Sequence, residues 1–114
     1  MSDSPALNEQ YFMKMAHGDV PGFMKMAEDY FSDTRRLLTS WPSMIADRQY
    51  SQLRDELHRC KGGASLFGCE RLLKLLADRE TPEKLEQLGF DFTLFESELD
   101  SCEQALIAMS RSKV

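Results

Sequence analysis

The stretch LHRCKGGASLFG, residues 57–68, decides how this chain is read. Its flanks, QYSQLRDE before and CERLLKLLADRE after, are both built of helix-forming residues. Yet it holds Gly62, Gly63 and Gly68, and a Gly inside a helix costs about 0.8–1 kcal/mol relative to Ala. Some requirement other than helix stability must set them there. On a wheel at about 100° per residue, Tyr50, Leu53, Leu57, Cys60, Ala64 and Phe67 form one apolar stripe, the expected buried seam. His58 stands off that seam. It shares a polar stripe with Arg54, Lys61, Gly62 and Ser65, which lie one or two turns away on the same face. Gly62, four residues after His58, clears space beside the imidazole for another macromolecule to approach. Gly63 points elsewhere and suits close helix packing. Lys61 brings positive charge within reach of an anion on His58, and a neutral exposed imidazole is a usable nucleophile at cellular pH.

Outward from this stretch the helical period continues. A short first helix is expected over about 7–17, stopping near Gly18. A second opens at Val20-Pro21, carries Phe23, Met26, Ala27, Tyr30, Phe31, Leu37 and Leu38, and ends near Trp41 because Pro42 follows. The third runs from Ala46–Arg48 to Phe67, with a break at Gly68, and the fourth covers Cys69–Arg79. TPEKLEQLG reads as an N-cap at Thr81, Pro82 in the first turn and a stop at Gly89. The last helix spans about Phe92–Ser110 with Asp91 as its cap. Strand signals are nearly absent. The segment FMKMA occurs at 12–16 and again at 23–27, but nothing else recurs at that offset, so it is no repeat architecture. Short connections favour antiparallel neighbours. The expected fold is all-α: an antiparallel up-and-down four-helix bundle with a short additional N-terminal helix. It forms one domain over 1–114, with an ordered core of about 8–111.

Composition sets the class. The 114 residues are 42% hydrophobic and 29% charged, with net charge −5, as in an ordinary globular domain. The mild acidity argues against nucleic acid as a partner. No apolar run is long enough for a membrane span, and MSDSPALNEQ lacks the basic and apolar regions of a signal peptide. Cys60, Cys69 and Cys102 are odd in number and fit no framework spacing, so a reduced, cytoplasmic setting is expected. His58, Cys60 and Cys69 match no zinc pattern; Cys60 falls on the seam, unsuited to a nucleophile. His17 reads as a helix-end residue, Phe12, Met15, Phe23 and Met26 as core filling, and Trp41 as closing one end of the bundle. No carboxylate pair, Ser-His pairing, Cys-x-x-Cys, phosphate-cradling GxxxxGK loop or nucleotide-binding glycine motif is present.

With these residues in view, HRCKGGASLFG resembles the motif H-x-x-K-G-x-x-x-x-x-G of histidine-containing phosphotransfer (HPt) domains, at His58, Lys61, Gly62 and Gly68. MKMAHGDVPGFMKMAEDYFSDTRRLL is similar to the family's opening, and GCERLLKLL to its next helix, so the resemblance spans roughly 10–110. It implies a four-helix bundle that relays phosphoryl groups between receiver-domain aspartates in a two-component phosphorelay. His58 would be the phosphoacceptor. Lys61 would balance phosphate charge, Gly62 permit docking and Gly68 serve helix-end geometry. Arg54, Arg59, Ser65 and Gly68 join the expected docking face. Cys60 stands where many members carry an aliphatic residue. A polar residue of the following helix often orients the imidazole or phosphate; Arg71, Lys74 and Arg79 are the choices here. The implied partners are receiver domains of a hybrid kinase and a response regulator. Magnesium is expected on the receiver, with no cofactor or metal on this chain, which acts as a carrier without an ATP site and not as an enzyme. A free-standing monomer is expected. Arg54, Arg59, Lys61, Arg71 and Lys74 make the His58 region locally basic, against Asp55, Glu56 and Glu70, while Asp78 to Glu103 is strongly acidic. That asymmetry suits docking onto an acidic receiver pocket. The competing reading is a non-phosphorylated helical adaptor that binds a receiver or partner helix, for which His58 would be dispensable.

Overall fold

A computed structural model of the chain describes residues 9–112. Residues 7 and 8, expected to open the first helix and the ordered core, lie outside them. Among the described residues every regular element is helical: α1 (Glu9–Ala16), α2 (Val20–Leu38), α3 (Trp41–Ala46), α4 (Tyr50–Leu66), α5 (Glu70–Ala77), α6 (Pro82–Leu88) and α7 (Phe92–Ser112). Among the described residues no helix is long and apolar enough to cross a membrane.

The turn chemistry follows the sequence closely. Gly18 takes φ +82°, and the Asp19 carboxylate then caps α2 by accepting the Gly22 N–H at 3.0 Å. His17 precedes it at φ +49°, in the left-handed region that closes a helix. Thr81 caps α6 through the Lys84 N–H at 3.1 Å, and Gly89 ends it at φ +69°. Asp91 caps α7 through the Leu94 N–H at 2.9 Å.

The region around Trp41 departs from expectation. The chain leaves α2 at Leu38, where the Thr39 and Ser40 hydroxyls donate to the Arg36 and Leu37 carbonyls at 2.7 and 2.8 Å. Those bonds, with the Ser40 N–H that also reaches the Leu37 carbonyl at 3.0 Å, close the end of the helix. Pro42 therefore does not stop α2 but sits in the first turn of α3, where its missing N–H is no loss. Because α3 takes residues 41–46 and Arg48 turns at φ +59°, α4 starts at Tyr50 and not at 46–48.

The two long helices α2 and α7 pack together, α4 packs on α3, α5 and α6, and α5 also meets α7. The core joins two aromatic groups. Phe12, Phe23, Tyr30, Phe31 and Phe67 pack edge-to-face or tilted at one end, with Phe23 and Phe67 centroids 5.2 Å apart. Trp41 is fully buried with Phe90 and Phe95 at the other. Of the expected core stripe, Phe12 and Phe23 are buried and Met15 half-buried, but Met26 is 52% exposed. The cysteines also differ from a fully reduced reading. Cys69, just before α5, is joined to Cys102 of α7 by a buried disulfide, and Cys60 is free and buried. Odd count and spacing hide this pair, because its partners meet only when α5 lies on α7.

Candidate functional site

Helix α4 carries the site because its two faces differ so sharply. Leu53, Leu57, Cys60, Ala64 and, just past the helix end, Phe67 are buried, while Arg54, His58, Gly62 and Ser65 are exposed and Lys61 is half-buried. Tyr50, the first residue of the seam, is half-buried. Burial pushes the Cys60 thiol up to about 11, so it stays a neutral thiol inside the core. One buried residue breaks the pattern. Glu56 is 8% exposed and accepts the Trp41 indole N–H at 2.8 Å. Sequence reasoning set it among the solvated charges near His58; the only sequence signal for its burial is that it lies three residues after Leu53, beside the seam.

The exposed face of α4 meets α5 across an open groove of about 740 Å³. His58, Lys61, Gly62 and Ser65 form one wall, and Glu70, Leu73, Lys74 and Ala77 the other. Four of the expected site residues are thus brought together. A Cβ built on Gly62 meets nothing within 4 Å, so this glycine keeps the groove open and answers no internal packing demand. Gly63 is the opposite case: a Cβ there would run into the Tyr30 ring. Tyr30 anchors this crossing by donating its hydroxyl to the Cys60 carbonyl at 2.7 Å, and Tyr11 donates to the Ser65 carbonyl at 2.7 Å.

The remaining expected residues sort by position. Arg54 sits beside His58, with its Nε donating to the Glu80 carbonyl at 3.1 Å and its guanidinium 3.0 Å from Asp55. Arg59 is exposed but lies outside the groove lining. Gly68 is buried at the turn after α4 with φ +70°. It ends the helix and offers no surface for docking, which corrects its place on the expected docking face.

The three candidates expected on the following helix separate cleanly, and α5 ends at Ala77, which leaves Arg79 in the turn beyond it. Arg71 is turned to α7, 2.9 Å from Glu98, an ion pair whose alignment falls short of a hydrogen bond. Arg79 donates to the Gly89 and Asp78 carbonyls at 2.7 and 3.1 Å and so braces the α5–α6 region. Lys74 alone of the three lines the groove with His58.

Lys61 forms an ion pair with Glu80, which the sequence reading did not anticipate. The hydrogen bond and charge of Lys61 hold the Glu80 carboxyl below its ordinary range. No three His, Cys, Asp or Glu side chains converge on a metal-sized site among the described residues. The arrangement can place an attacking imidazole in an open, cation-flanked groove. The chain matches no protein-family model, and no curated protein or solved structure matches it.

Proposed function

We propose that the chain is a histidine phosphotransfer protein that carries a phosphoryl group on His58 between receiver-domain aspartates. The observation that carries this reading is an exposed imidazole on a groove flanked by Lys61 and Lys74, with the position beside it left open by Gly62. In the first transfer an imidazole nitrogen attacks the phosphorus of an aspartyl phosphate. An N–P bond forms, the P–O bond breaks, the aspartate carboxylate leaves with the electron pair, and the displaced imidazole proton passes to solvent. The second transfer reverses these steps onto another aspartate. Lys61 and Lys74 offset the charge of the transferring group, while the acids and magnesium that such chemistry needs belong to the receiver.

In this reading α2, α4, α5 and α7 form an antiparallel up-and-down four-helix bundle, to which α1, α3 and α6 are additions. The pairings of α2 with α7, α4 with α5 and α5 with α7 support it. The functional test is incubation with phosphorylated receivers from the source organism. The wild-type chain takes up acid-labile phosphate, and His58→Gln takes up none. Phosphate retained in His58→Gln overturns His58 as the acceptor. Receiver binding with no phosphate in either protein favours the adaptor.

A further inference from the structure

His58 lies between two depressions of different kinds. On one side is the open groove toward α5. On the other is a crevice of about 10 Å³, which it shares with Arg54, Lys61 and Glu80. The crevice is barely one water in size, so a phosphoryl group on the imidazole fits the groove and not the crevice. Lys61 lines both depressions, and its ammonium is committed to the Glu80 carboxylate on the crevice side.

Glu80 cannot easily follow Lys61 into the groove. It lies in the short link between α5 and α6, next to the Thr81 cap, and Arg79 ties that link to Gly89. The Glu80 carbonyl is itself held by Arg54. A carboxylate on a pinned stretch of backbone and an incoming phosphoryl group therefore compete for one flexible ammonium.

We propose that Glu80 is a positioning residue that acts as a charge latch on Lys61: it holds the ammonium while His58 is bare and gives it up to the phosphoryl group. The inference rests on the phosphoryl-carrier reading. Its consequence is that Glu80 disfavours the phosphorylated form and keeps the group ready to leave. Loss of its charge frees Lys61 and stabilises phosphohistidine.

Phosphoramidate tests this on the full chain without any partner. The imidazole forms the N–P bond, the donor's P–N bond breaks with release of ammonia, and the displaced imidazole proton goes to solvent. Wild type, Glu80→Gln, Lys61→Met and the double variant are compared by the yield of phosphate on His58, at about 20 mM and about 500 mM salt. The expected result is a roughly two- to five-fold gain for Glu80→Gln at low salt, the range of an exposed ion pair. That gain shrinks at high salt, where exposed charges are screened, and is smaller in the Lys61→Met background. Phosphate on His58 with no gain for Glu80→Gln overturns the latch alone. So does a gain indifferent to salt, or one undiminished without Lys61. No phosphate on His58 in any variant overturns the carrier reading and the latch with it.

Discussion

Gly62 and Gly63 are neighbours in sequence with opposite physical reasons to be glycine. At Gly62 an added side chain meets open space, so helix propensity alone governs stability. Gly62→Ala should stabilise the fold by up to about 1 kcal/mol, whereas Gly63→Ala should destabilise it by about 1–3 kcal/mol because the Tyr30 ring must move. Urea melts of the two variants separate these effects; a loss of stability for Gly62→Ala would mean that packing also claims this position. Function should run the other way. Gly62→Gln should fold normally and slow phosphoryl transfer by crowding the imidazole, and a wild-type transfer rate would remove Gly62 from the docking surface.

At the scale of the helix, the orientation of α4 decides everything about the site. Leu57 is 2% exposed while the adjacent His58 faces solvent. Leu57→Ala should cost about 2–5 kcal/mol through lost burial and the cavity left behind. His58→Ala should change stability by no more than about 0.5 kcal/mol. Denaturant midpoints decide it: a large loss for His58→Ala with little for Leu57→Ala would rotate α4 by one residue and turn the imidazole into the core. The orientation is held at two points. Trp41 of α3 donates to Glu56, and Tyr30 of α2 donates to the Cys60 carbonyl one turn further along α4.

Across the whole molecule, charge is partitioned. Arg35 of α2 lies 2.6 Å from both Asp100 and Glu103 of α7, and Arg71 of α5 is drawn to Glu98. The acidic last helix thus engages two arginines of its neighbours, while Lys74 stays on the groove and Lys61, which also lines it, pairs with Glu80. The disulfide acts at the same scale, tying the start of α5 to α7 across 33 residues of sequence. Its reduction should lower stability by about 4 kcal/mol if chain entropy dominates, read from thermal melts with and without reductant. Alkylation gives a second check. The folded protein should resist iodoacetamide, the unfolded protein without reductant should react at Cys60 alone, and with reductant at all three cysteines. Modification of three cysteines without reductant would rule out the bond.

The sequence by itself determined the helical class, the caps at Thr81 and Asp91, the helix ends at Gly68 and Gly89, and the exposed face of α4. Each of these rests on residues within a few positions of one another, where periodicity and backbone preference are decisive. Only the tertiary structure decided what depends on distant partners. It split off α3 at Trp41, whose indole needs Glu56. It joined Cys69 to Cys102, turned Arg71 to Glu98, left Lys74 on the groove and paired Lys61 with Glu80. Helical spacing fixes which face a side chain shares, but which neighbouring element lies against that face is set by packing of the whole core.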